Sequence, residues 1–143
     1  MIKDEELFLR SQWNWDFVNE VLPRRMTIGD IDGICVLPTG HFLILEGKWA
    51  HHDQPPHSIP KGQQLGFKFL VSTGFATILM VAGRPPNEVH WMRVMGPETS
   101  DTGWLPASNE TVKRFVYQWL RKHDSDFNAE LENGAANSTA LGG

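Results

Sequence analysis

Apolar residues recur along this chain in two periods, and the changes between them divide it into elements. From residue 4 to 22, Leu7, Phe8, Ser11, Trp15, Val18 and Leu22 fall at helical spacings on one face, and Pro23 ends the run. Strands follow at about 28–37 and 41–49. The turn Pro38-Thr39-Gly40 between them predicts an antiparallel hairpin. Residues 50–62, AHHDQPPHSIPKG, form a loop by composition, from which Ser58 is placed to cap a helix beginning near Pro60. Gly66 costs that helix about 1 kcal/mol relative to alanine. The continuous apolar run FATILMVA, Phe75 to Ala82, suits a central strand buried on both faces. Arg84-Pro85-Pro86-Asn87 turns the chain into a strand at about 88–95. Residues 96–107 read as loop, with Trp104 over an edge of the core. Ser108 then opens an amphipathic helix through Val112, Phe115, Val116, Trp119 and Leu120. From about 124 large apolar residues become sparse, and the tail 124–143 is expected to be disordered.

The order α-β-β-α-β-β-α predicts an α/β sandwich around a mixed sheet, one domain over 1–123. It contains no glycine-rich phosphate loop of the dinucleotide or P-loop kind. No apolar run approaches the roughly 20 residues of a membrane-spanning helix, and MIKDEELFLR is too acidic for a secretory signal. The one cysteine, Cys35, falls inside a strand and reads as a small buried hydrophobe in a reducing, cytosolic protein. The net charge of −4 argues against coating nucleic acid non-specifically, but not against gripping it locally.

Four charges interrupt the hairpin. Asp30 and Asp32 share one strand face and Glu46 and Lys48 another, because strand side chains alternate with period 2. The bland alternatives are a local Asp turn and a solvent-facing Glu–Lys pair. Against the second, Phe42 and Ile44 alternate onto the same face as Glu46 and mark it as buried. Carboxylates gathered on paired strands repel unless a cation joins them, and an all-oxygen set favours Mg²⁺ or Mn²⁺ over zinc. Lys48 separates a catalytic site from a structural one. An ammonium beside metal ligands repels the metal, yet it can position a water and offset charge in phosphodiester hydrolysis.

Asp32, thirteen intervening residues and Glu46-Gly47-Lys48 across a hairpin resemble the PD-(D/E)XK nuclease superfamily. Gly29-Asp30-Ile31-Asp32 is similar to the G-x-x-D of its RecB-like exonuclease branch, with Asp30 as the alternate aspartate. Gln63-Gln64-Leu65-Gly66-Phe67 resembles the branch's Q-x-x-x-Y element, with Phe67 lacking the tyrosine hydroxyl. No proline directly precedes Asp32. The resemblance implies a restriction-endonuclease-like three-layer α/β/α sandwich with a central mixed sheet. It further implies Asp32, Glu46, the Gly47 carbonyl and Glu20 as metal ligands, Lys48 orienting the water, and Gln63 holding the site or a phosphate. The implied activity is Mg²⁺- or Mn²⁺-dependent cleavage of DNA, with RNA second. The implied setting is the cytoplasm of a bacterial or virus-infected cell, as for a phage-like enzyme acting alone, as a homodimer or in a nucleoprotein assembly. The alternative is a catalytically inactive relative serving as a nucleic-acid-binding or assembly module. Lys61 and Lys68 suit phosphate contacts or are ordinary surface lysines. His51, His52 and His57 lack the partners and spacing of a zinc site and are expected on a surface loop at the mouth of the site.

Overall fold

The computed structural model describes residues 16–23 and 31–142, with side chains of the last helix through Gly134. The chain divides into two compact units, Met1–Asp30 and Ile31–Gly143. In the first, helix α1 spans Asp16–Asn19, and the Glu20 amide donates to the Asp16 carbonyl at 3.1 Å. The expected helix before residue 16 and the expected strand start at 28–30, with Asp30, lie outside the described residues.

The second unit is built on a five-stranded mixed sheet in chain order: β1 (Gly33–Val36), β2 (Phe42–Trp49), β3 (Ala76–Arg84), β4 (Glu88–Met95) and β5 (Leu105–Pro106). β1 and β2 form the expected antiparallel hairpin, from Gly33 opposite Leu45 to Val36 opposite Phe42. β2 and β3 run parallel, from Phe42 beside Ala76 to Trp49 beside Gly83. Parallel neighbours need a crossover, and helix α2 (Lys61–Ser72) supplies it. The remaining pairs are antiparallel, and two-residue β5 falls inside the segment whose composition reads as loop. The structure is thus α/β.

Alternation along the central strands feeds two cores. Ile44, Ile78, Met80 and Met95 point to one face, where Phe67 of α2 and Ile59 close over them. Leu43, Leu79 and Val94 point to the other, against Trp119 of helix α3 (Asn109–His123). β3 lies centrally, and Ala76 through Met80 are buried, as a strand covered on both faces requires. Ser108 caps α3 as expected. Its hydroxyl accepts from the Thr111 amide, and its own amide donates back to the Thr111 hydroxyl.

Three expectations change. Ser58 does not cap α2, because Pro60 occupies the cap position with an extended backbone and no side chain closes the end. Cys35 is exposed on β1, which among the described residues is an edge strand with a neighbour on one side only. The tail forms helix α4 (Ser125–Gly142), started by Asp124 accepting from the Asp126 and Phe127 amides and anchored by the Phe127 ring against Tyr117. Among the described residues no helix is long and apolar enough to cross a membrane.

The strap from β4 to β5 is held by Asp101, which accepts from Arg93 Nε at 2.8 Å, from Arg93 Nη2 and from the Gly103 amide at 2.9 Å. The hydrogen bonds from Arg93, above all, hold the Asp101 carboxyl below its ordinary range. A carboxyl lowered in the folded state contributes stability that is present above its unfolded pKa and is lost as pH falls through the folded one. Asp101→Asn is therefore expected to destabilise the fold at pH 7 by about 1 kcal/mol for a partly exposed pair, read as a lower Tm. The difference from wild type should shrink below about pH 4, where the ordinary carboxyl begins to protonate. Thermal denaturation at pH 7 and pH 3 measures both; an equal deficit at the two pH values would refute the assignment.

Candidate active site

Asp32 lies one residue before β1, and continuing the hairpin register sets it opposite Glu46. Its Oδ2 accepts a hydrogen bond from the Gly47 amide at 2.8 Å. In an extended strand the N–H and C=O of one residue point to the same neighbour, so the Gly47 carbonyl faces the Asp32 edge as well. The hairpin turn fixes the register, and the register sets the two residues at paired positions.

Glu46 belongs to the Ile44 face of β2 and is only 7% exposed. Its Oε1 accepts from Gln63 Nε2 at 2.9 Å and lies 3.4 Å from Lys48 Nζ. Gln63 stands in the first turn of α2, so the crossover helix that covers the core also carries the side chain that holds Glu46. Phe67, one turn on, points into the core. Two acceptors remain: Glu46 Oε2 and Gln63 Oε1 are both buried without a hydrogen-bond partner. Because Gln63 Nε2 must face Glu46, turning the amide over would only exchange one unsatisfied contact for another. Buried acceptors without a donor are costly, by about 1–3 kcal/mol each, and ask for a cation or water.

Asp32, Lys48 and Trp49 open onto a hollow of about 280 Å³ that is rimmed on its far side by the Arg84–Glu88 turn. A second hollow of about 400 Å³ lies between Trp49, His51, His52, Arg84 and His90. The loop bearing His51 and His52 is tied to β4 by Trp91 Nε1, which donates to the His51 carbonyl at 2.9 Å. His57 is apart from them, its Nε2 3.0 Å from Gln54 Nε2. A third hollow, about 190 Å³, lies at the opposite end of the strands. There His41 and His123 stack at 4.4 Å, and burial together with nearby His41 and Lys122 pushes His123 below the ordinary imidazole range. Lys122, already paired with Glu98, leaves that end poorly suited to an anion.

The structure therefore brings together Asp32, Glu46, Gly47, Lys48 and Gln63. It does not bring Lys61, exposed at the start of α2, into any described contact with them. Glu20 is exposed in the first unit, and Asp30 lies outside the described residues. Among the described residues no group of three or more His, Cys, Asp or Glu side chains is placed to hold a metal ion. Trp49 and Arg84 are additions to the candidate surface. Alternation puts Trp49 on the Leu43 face, yet its ring is largely exposed. No family model, curated protein or solved structure matches the chain.

Proposed function

We propose that this chain is a metal-dependent nuclease of the PD-(D/E)XK type that hydrolyses phosphodiester bonds, in DNA before RNA. On this reading the mixed sheet and its crossover helix α2 are a restriction-endonuclease-like core. One observation carries it: Glu46 is buried with one oxygen held by Gln63 and Lys48 and the other free of any partner, directly opposite Asp32. A buried carboxylate oxygen with no donor of its own is one that a cation would satisfy.

The donors fit a hard cation. Asp32, Glu46 Oε2 and the Gly47 carbonyl offer oxygen only, the set that Mg²⁺ and Mn²⁺ take. Such an ion would supply Lewis acidity and a more acidic water. The chain's own residues do the rest. Gln63 locks Glu46 Oε1, so the ligand oxygen does not swing. The Gly47 amide does the same for Asp32. Lys48 is the ammonium within reach of the reacting phosphate, where it donates to the attacking water and offsets charge that grows on the phosphate oxygens.

The test is direct. Purified protein is incubated with single- and double-stranded DNA and RNA in Mg²⁺, Mn²⁺ or EDTA, and cleavage is expected only with metal. In parallel, Mn²⁺ at about 100 times its Kd is expected to stabilise the fold by about 2.7 kcal/mol, a Tm rise of roughly 5–10 °C at this size. The runner-up is an inactive nucleic-acid-binding module, favoured by the finding that the described residues supply two carboxylates to the site rather than three. Binding without cleavage and an Mn²⁺-independent Tm would establish it instead.

A further inference from the structure

We infer that the site takes unpaired nucleic-acid strand, with a base stacked on Trp49 beside the phosphate to be cut. The inference rests on the nuclease reading for the position of that phosphate. Trp49 directly follows Lys48 on β2, is 61% exposed, and borders both hollows, the one containing Asp32 and Lys48 and the one containing Arg84. His51 meets its ring at 4.6 Å in a T-shaped contact that steadies the indole. A large exposed aromatic adjoining a catalytic lysine is costly in water and useful where a base can cover it.

Charge decides between a single strand and a duplex. The lysine, arginine and carboxylate groups of the two hollows are Lys48 and Arg84 against Asp32 and Glu88, with His90 Nε2 3.6 Å from Glu88 Oε1. Among the described residues Arg84 has no ion-pair partner and is exposed to receive a phosphate. Duplex binding draws on many phosphate contacts, and two cations balanced by two carboxylates supply few. A duplex also keeps its base faces stacked inside, out of reach of Trp49. An unpaired strand presents them, and stacking on an aromatic ring gains affinity for any base sequence. Arg84 then holds the phosphate next to the stacked base, while Lys48 meets the scissile one.

The experiment measures binding of a fluorescein-labelled 20-nucleotide oligothymidine and of a labelled 20-base-pair duplex by anisotropy in EDTA, where metal-dependent cleavage is off. The single strand is expected to bind at least tenfold more tightly than the duplex. Trp49→Ala should weaken it about tenfold or more, and Trp49→Phe should recover most of the loss. The salt slope for the single strand should be shallow, about −1.4 for two phosphate contacts at roughly 0.7 each. Equal affinity for strand and duplex, or wild-type affinity in folded Trp49→Ala, overturns the inference. Absence of cleavage by wild type in Mg²⁺ and Mn²⁺ overturns the nuclease reading instead, and leaves the affinity ratio to decide the binding claim.

Discussion

Replacing Glu46 with glutamine is expected to abolish metal-dependent cleavage, by on the order of a thousandfold or more, without unfolding the protein. Removal of one preorganised electrostatic group typically costs a hundred- to a thousandfold, and Glu46 combines that role with metal ligation. Lys48→Ala is expected to fall in the same hundred- to thousandfold range, and Gln63→Ala, which acts by holding Glu46, in the ten- to hundredfold range typical of residues behind a ligand. The stability outcome runs the other way. Glu46 Oε2 is buried with no partner, and an unpaired buried carboxylate oxygen is a cost that an amide reduces. Lys48, partly exposed, can turn to water once its partner is neutral. Metal-free Glu46→Gln should therefore melt at or above the wild-type Tm while losing the Mn²⁺-induced rise. That pairing of lost function with unharmed stability marks a functional position. Cleavage by Glu46→Gln at even a tenth of the wild-type rate would remove Glu46 from the metal site, and a Tm several degrees lower would show its role to be structural.

The pairing of Glu46 with Lys48 and the reach of Asp32 across the hairpin to Gly47 follow from three constraints legible in the sequence: a short turn, a period of two, and apolar Phe42 and Ile44 marking the face that Glu46 shares. Where a residue's surroundings depend on a neighbour that is remote in sequence, pattern fails. Cys35 sits in a strand and reads as core, yet among the described residues β1 has no outer neighbour. The tail fails for the same reason in reverse. Its composition is poor in apolar residues, and one docked ring, Phe127 on Tyr117, changes the balance locally. Ser58 shows a competition between signals, since a proline two residues later fixes the helix start first. Glu20 and Asp30 rest on the resemblance alone, because one belongs to the other unit and the other lies outside the described residues.

The floor of the proposed strand-binding hollow depends on one glycine, and Gly83→Ala is expected to be the most damaging small substitution in the sheet. At Ala82 the β3–β4 register is still in phase, opposite Trp91, but Gly83 pairs with Val89, so His90 is an extra residue in a bulge. The bulge draws the β4 backbone in. A Cβ on Gly83 would lie 2.0 Å from the Glu88 carbonyl oxygen and 3.0 Å from the His90 amide nitrogen, both backbone atoms that cannot rotate away. The Gly83 carbonyl also accepts from the Ala50 amide at 2.9 Å, which closes the parallel ladder just past Trp49. Relieving the clash must part β3 from β4 or break that closure, and overpacking of this kind costs about 3 kcal/mol or more. At this chain length that corresponds to a Tm loss of roughly 6–12 °C, with weakened single-strand binding as Arg84 and His90 shift. Gly66→Ala is the matched control. Nothing lies within 4 Å of a Cβ there, and alanine inside α2 should stabilise by about 0.5–1 kcal/mol. Differential scanning fluorimetry of both variants is sufficient. A Gly83→Ala protein melting within 2 °C of wild type would show that the strands do not approach this closely, and the hollow beside Trp49 would have to be redrawn.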